Sequence, residues 1–150
     1  MGPRPPSSDL DSTALAARCR AAGVKVTPQR IAVLRAVLSV ESHPSPEEVF
    51  KAVRLDEPVI SLATVYKALD ALERAGLISQ VALLHESKRY DGNIDPHHHL
   101  ICTSCRSIRD ITDPQLDAVE PPKGLRGFVA TGVKVQILGL CEHCKDMGTT

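Results

Sequence analysis

Through residue 76 apolar side chains recur at three- and four-residue intervals, and beyond it they alternate or run together. The first pattern lays an apolar stripe along a helix; the second belongs to strands. Asp11 or Ser12 can cap a helix over Thr13–Ala22 that Gly23 closes. Thr27-Pro28 is an N-cap followed by proline at the first helical position. It opens a helix to about Val40 whose Ile31, Leu34 and Leu38 share a face. Ser45-Pro46-Glu47-Glu48 reads as a capping box and starts a short helix through Val49, Phe50 and Val53. Ser61 caps a fourth helix, Ser61–Ala75, with Leu62, Val65, Leu69 and Leu72 as its buried stripe and Gly76 as its stop.

After Gly76, Leu77–Leu84 reads as a strand and Lys88-Arg89-Tyr90 as its return, with His85-Glu86-Ser87 as the turn. Helices followed by a hairpin predict a winged helix-turn-helix. Asp91–Pro96 is rich in turn formers and reads as a hinge. The pattern then predicts strands at His99–Cys102 and Ser107–Thr112, a short helix near Pro114–Val119 and a strand at Val133–Leu140. In that strand Val133, Val135 and Ile137 alternate with Lys134 and Gln136. The expected class is α+β, with a winged helix-turn-helix over residues 12–90, a hinge over 91–96 and a small α/β domain over 97–150. Residues 1–11, with prolines, serines and aspartates, read as a disordered tail.

Composition changes this picture in a few places. No apolar run is long enough to span a membrane, and the N-terminus lacks the apolar core of a signal peptide, so a cytoplasmic protein is expected. Two Phe, two Tyr and no Trp are too few for a platform that stacks single-stranded nucleic acid. Residues 1–90 carry 12 Lys/Arg against 10 Asp/Glu, and residues 91–150 carry 6 against 8. Any DNA-binding surface must therefore be a local patch.

The cysteines carry the clearest chemistry. Cys102-Thr-Ser-Cys105 and Cys141-Glu-His-Cys144 are two CxxC pairs with 35 residues between them. Each pair can offer two thiolates from one tight turn, and four thiolates make a closed tetrahedral shell that suits structural zinc. Reduced thiols in the cytoplasm favour that reading over two disulfides. Cys19 shares a helical stripe with Leu15 and Ala22 and reads as a small buried hydrophobe.

Two further sets are candidates. Ser61, Ala63, Thr64, Tyr66 and Lys67 lie at the start of the fourth helix, where hydroxyls and small side chains can meet phosphates and base edges in a major groove. Gln29 and Arg30 are placed for phosphate contact. An ordinary amphipathic helix in a small bundle has a similar polar face. The other set begins with His97 and His99, which share a face in an extended strand while His98 points away. Asp91 and Asp110 are nearby oxygen donors, and His43 is a candidate from the helical half. Such a His/Asp shell suits Fe²⁺, Mn²⁺ or Zn²⁺. His85 and His143 read as surface histidines without a role.

The segments Thr27-Pro28-Gln29-Arg30, His43-Pro44, Ala63-Thr64-Val65-Tyr66, Arg89-Tyr90-Asp91, His97–Cys102 and the two CxxC pairs appear in one order. That ordered set resembles the ferric uptake regulator family over about residues 12–145. The resemblance implies a metal-dependent dimeric transcriptional repressor that binds an inverted-repeat DNA operator. Ser61–Ala75 would be the recognition helix and residues 97–145 the dimerisation domain. It implies structural Zn²⁺ and a regulatory Fe²⁺ or Mn²⁺, with Zn²⁺ possible at the second site.

His43, Asp91, His97, His99 and Asp110 match the ligand set of the family's peroxide-sensing branch. The iron-sensing branch usually carries glutamate at the positions of Asp91 and Asp110. The zinc-sensing branch often places a cysteine in the hinge, and none lies between Cys19 and Cys102. A histidine used by a third site in many iron sensors would fall near Val133. Pro121-Pro122 and Gly127 shorten the usual dimer-domain helix. The branch implies sensing by oxidation of a ligand histidine, His43 or His97. The alternative on the same scaffold is an iron, manganese or zinc uptake regulator without peroxide chemistry. A zinc hydrolase is the remote alternative; the H-E-x-x-H motif and the deaminase signature are both absent.

Overall fold

The computed structural model describes residues 10–81 and 88–148. These fall into two compact units, one ending at Asp95 and one beginning at Pro96. The described residues of the first unit form α1 (Ser12–Ala21), α2 (Pro28–Leu38), α3 (Pro46–Val53), α4 (Leu62–Arg74), β1 (Ser79–Val81) and β2 (Arg89–Asp91). The helices start where short polar side chains satisfy the first free amides. The Asp11 carboxylate accepts from Thr13 N–H, Thr27 Oγ1 from Arg30 N–H, and Ser61 Oγ from Thr64 N–H. At α3 the capping box is complete: Ser45 Oγ accepts from Glu48 N–H, and Glu48 Oε2 accepts from Ser45 N–H at 2.7 Å. Gly23 and Gly76 follow α1 and α4 with φ of 76° and 74°, the left-handed conformation that glycine adopts without a Cβ clash.

The stripes converge on one core. Leu15, Cys19, Val33, Leu34, Val37, Val49, Val65, Leu69, Leu72 and Tyr90 are all essentially inaccessible to water. Each large aliphatic member contributes about 1.5–3 kcal/mol by leaving water. Cys19 belongs to this core, and burial raises its thiol pKa against the lowering effect of Arg18 and Arg30. On α4, Ala68 takes a buried place beside Val65, Leu69 and Leu72, while Leu62 is half-buried. Leu77 and Ile78, expected in a strand, pack into the core before β1 begins.

β1 and β2 pair antiparallel, with Ser79 opposite Asp91 and Val81 opposite Arg89. Residues 82–87, which include His85 and the expected turn, lie outside the described residues. Asp91, expected in the hinge, instead ends β2 and accepts from Asn93 N–H at 2.8 Å, an Asx turn that carries the chain out of the strand. Of the expected tail, residues 1–9 lie outside the described residues. Its last two are held in place: Leu10 packs on the core and Asp11 caps α1.

The second unit contains β3 (His98–Cys102), β4 (Ile108–Ile111), α5 (Pro114–Asp117), β5 (Gln136–Gly139) and α6 (Glu142–Met147). Its sheet order is β4-β3-β5, with β3 antiparallel to β4 and parallel to β5. β5 is shorter than the expected Val133–Leu140. Val133 and Val135 are half-buried ahead of it, whereas Ile137 and Leu138 within it are exposed. Only β3 flanks β5 among the described residues, so its far edge and outer side chains have no cover. α6, which no periodic pattern announced, begins directly at Cys141.

Candidate metal centres

The first centre is built where β3 ends and α6 begins. Cys102 closes β3, Cys105 follows in a turn, and Cys141 and Cys144 occupy the N-cap and body of α6. One sulfur from each of the four lies within 4.8 Å of the others, and Cys105 Sγ stands 3.7 Å from Cys141 Sγ. A tetrahedron with about 2.3 Å zinc–sulfur bonds has edges of about 3.8 Å, so the cluster fits zinc. The turn also tunes the sulfurs. Amide N–H groups of Cys141 and Cys105 point at Cys102 Sγ from 3.4 and 3.5 Å and pull its pKa down to about 6. The Ser107 hydroxyl and amide lower Cys105 likewise. At Cys144 a hydrogen bond from Ser104 acts downward, but Cys141, desolvation, Cys105 and Cys102 together push the thiol up to about 11. Four thiols cannot all ionise side by side without a cation, and a divalent ion removes that conflict.

The second set of donors lies partly in each unit. In the second unit, strand alternation places His97 and His99 together, as expected. Their Nε2 atoms are 3.0 Å apart, and each lies 3.5 Å from Asp110 Oδ1 on β4, whose residue pairs with His99 in register. Adjacent donors at about 2.1 Å from one ion are about 3.0–3.4 Å apart, so this triangle has the dimensions of three sites on a metal shell. Both histidines are buried. In the first unit, His43 precedes α3 and its Nε2 lies 3.3 Å from Asp91 Oδ2; both residues are buried. Buried imidazoles and carboxylates facing one another are the usual preparation for a cation.

His98 faces the other way, but it has work to do. Its Nδ1 accepts from Val135 N–H at 3.0 Å, which fixes the proton on Nε2, and Nε2 donates to Asp117 Oδ1 at 3.1 Å. This buried histidine thus ties β3 to α5 and to the segment entering β5. Both partners are distant in the chain, so the sequence alone does not show this role. His143, on α6, is exposed.

The candidate DNA-contacting residues are gathered at helix starts of the first unit. Ser61, Ala63, Tyr66 and Lys67 are exposed and Thr64 is half-buried. Ser61 Oγ lies 2.9 Å from Thr64 Oγ1, so the two hydroxyls share one cap. Tyr66 Oη donates to Glu47 Oε1 on α3 at 3.0 Å, a contact that the sequence did not announce. The same bond raises the Tyr66 pKa, while a backbone hydrogen bond and then Tyr66 lower that of Glu47. Gln29 and Arg30 are half-buried at the start of α2, with Arg30 Nη1 donating to Lys25 carbonyl oxygen at 2.9 Å.

Comparison with known proteins places these features. The model of the ferric uptake regulator family matches residues 21–137. The peroxide-responsive repressor PerR of Staphylococcus epidermidis is 38% identical over 133 residues, covering 88% of this chain and 89% of that one. Its counterpart in Staphylococcus aureus is 37% identical over 131 residues, covering 87% and 88%. Among solved structures, the Campylobacter jejuni peroxide stress regulator superposes with a TM-score of 0.63 at 29% identity, covering 88% of this chain and 97% of that one. The Helicobacter pylori ferric uptake regulator gives 0.70 at 21% identity, covering 90% and 94%, a likeness of fold.

Proposed function

Because this chain belongs to the ferric uptake regulator family, we propose that it is a dimeric, metal-dependent transcriptional repressor that responds to peroxide. The observation that carries the reading is the convergence of His97, His99 and Asp110 within one unit and of His43 with Asp91 in the other. The carboxylates are both aspartates, and the chain is similar over most of its length to two peroxide-responsive repressors. The four cysteines would hold a structural Zn²⁺ that staples β3 to α6. The regulatory ion would be Fe²⁺ or Mn²⁺, taken by His43, Asp91, His97, His99 and Asp110.

These five donors come from two compact units. A single ion held by all of them would fix one orientation of the DNA-binding unit relative to its partner. A two-fold dimer reads two half-sites at fixed spacing, so that orientation decides whether both α4 helices fit an inverted-repeat operator. Metal binds the fitting arrangement more tightly and shifts the population toward it. Ser61, Ala63, Thr64, Tyr66 and Lys67 would face the groove, with Gln29 and Arg30 toward phosphates. The exposed edge of β5, with Ile137 and Leu138, supports pairing of second units in the dimer. Bound Fe²⁺ would supply the chemistry that cleaves the peroxide O–O bond, with one oxygen passing to the protein and the other leaving as water. The outcome inferred is an added oxygen on His43 or His97, which removes an imidazole donor and releases the operator.

No helix among the described residues is long and apolar enough to cross a membrane. A place in the cytoplasm fits reduced zinc-binding thiols. The matched relatives are repressors, and the hydrolase alternative has no motif to support it. The test is operator binding with Fe²⁺, Mn²⁺ or Zn²⁺ supplied separately, before and after peroxide. Release confined to the Fe²⁺ form supports peroxide sensing; release that follows metal withdrawal alone makes this a metal-supply regulator.

A further inference from the structure

His43 is held in an unfavourable backbone conformation. Its φ is 55°, one of two positive values at non-glycine positions among the described residues. The left-handed region crowds Cβ against the backbone, so a residue with a side chain stays there only where its surroundings hold it. Three consecutive residues of β2 do so. Tyr90 N–H donates to Pro44 carbonyl oxygen at 3.0 Å. Asp91 Oδ2 lies 3.3 Å from His43 Nε2. Arg89 Nη1 is within hydrogen-bond reach of His43 carbonyl oxygen at 3.4 Å and of Glu48 Oε2 at 3.2 Å. That same Glu48 oxygen accepts from Ser45 N–H, so one carboxylate joins Arg89 to the first turn of α3.

We propose that Arg89 is a positioning residue for the regulatory metal: its guanidinium, bridging the His43 carbonyl and the Glu48 carboxylate, holds the left-handed turn that aims the His43 imidazole beside Asp91. This rests on the reading that His43 is a regulatory ligand. Asp91 fixes the tip of the imidazole and Tyr90 holds the Pro44 carbonyl, while Arg89 reaches the carbonyl of His43 itself. Without the guanidinium the His43 carbonyl loses this hold, the strained φ can relax toward negative values, and the imidazole is no longer aimed as closely at Asp91. The bridge also ties ligand geometry to the N-terminus of α3, the helix whose Glu47 bonds Tyr66 on α4. An outer partner of this kind typically accounts for about 10–100-fold in metal affinity.

The test is Mn²⁺ titration of the full-length, zinc-loaded protein carrying Arg89→Met, His43→Ala, or both. Arg89→Met is expected to raise the Mn²⁺ dissociation constant about tenfold or more while zinc content stays at one per chain. The double variant is expected to bind no more weakly than His43→Ala alone, because Arg89 acts only through His43. Arg89→Lys, which keeps the charge and a donor, is expected to recover part of the loss. Unchanged affinity in Arg89→Met beside a loss in His43→Ala overturns the role of Arg89 and leaves the ligand assignment standing. Additive losses overturn it too, since Arg89 would then act elsewhere. Unchanged affinity in His43→Ala removes the ligand assignment itself. Where Arg89→Met does not fold, the same cycle read with Arg89→Lys decides between these outcomes.

Discussion

His98 donates its Nε2 proton to Asp117 while its Nδ1 accepts from the Val135 amide, so one neutral imidazole joins three segments of the second unit. His98→Ala leaves the half-buried Val135 amide without its acceptor and is expected to cost about 1–2 kcal/mol in chemical denaturation. Asp117 is partly exposed, and Asp117→Ala is expected to cost under about 1 kcal/mol. Equal losses from the two variants would mean that the Val135 bond contributes little.

Zinc retention is expected to depend on pH through Cys102. Its pKa is lowered to about 6 by amide bonds from Cys141 and Cys105. A depressed folded-state pKa contributes stability that is fully present above the unfolded value and is lost as pH falls through the folded one. Protons compete with zinc for all four sulfurs, and bound zinc would keep the Cys102 thiolate ionised below its metal-free value, so the protein should hold zinc at pH 7 and release it only on acidification below about 6. A chromophoric zinc indicator reads the release directly. Cys102→Ser should lose zinc at every pH and leave the second unit unfolded or monomeric in size-exclusion chromatography.

Tyr66→Ala is expected to weaken operator binding about tenfold, roughly 1.4 kcal/mol, with zinc content and dimerisation intact. Its ring is exposed and its one described side-chain bond is to Glu47, so the melting midpoint should barely move. A large fall in thermal stability with unchanged operator affinity would place Tyr66 in the packing instead.

Gly92→Ala tests the close approach of the chain leaving β2 to the end of α2. An added Cβ would lie 2.8 Å from Leu38 Cδ2 and 3.3 Å from Leu38 Cα. Leu38 can turn its side chain, but its backbone cannot give way without moving α2. The expected cost is about 1–3 kcal/mol in a denaturant titration. A neutral effect would show that this contact is loose.

The parts of this molecule legible in its sequence are those set by near neighbours. Asp11, Thr27, Ser45 and Ser61 announced their helices because a cap acts within three residues. His97 and His99 announced a shared face because strand alternation is local, and the CxxC spacing announced the sulfur cluster. What stayed hidden depends on distant partners. Asp91 read as hinge because turn formers follow it, yet pairing with Ser79 draws it into β2. The role of His98 needs Val135 in register, and that of Glu47 needs α4 packed beside α3. α6 spans only Glu142–Met147 with no side-chain cap, so no periodic signal marks it. Its N-cap, Cys141, is one of the clustered cysteines.

Peptide mass spectrometry of the peroxide-treated protein separates peroxide sensing from metal-supply sensing most directly. The Fe²⁺-loaded protein, exposed to low peroxide, is expected to gain one oxygen on His43 or His97, within peptides covering residues 31–51 and 90–101, as the operator is released. The Mn²⁺-loaded protein should remain unmodified and bound to DNA. Unmodified histidines alongside release by metal withdrawal alone, or oxygen found only on Cys102, Cys105, Cys141 or Cys144, would contradict the assignment of sensing to the histidine site.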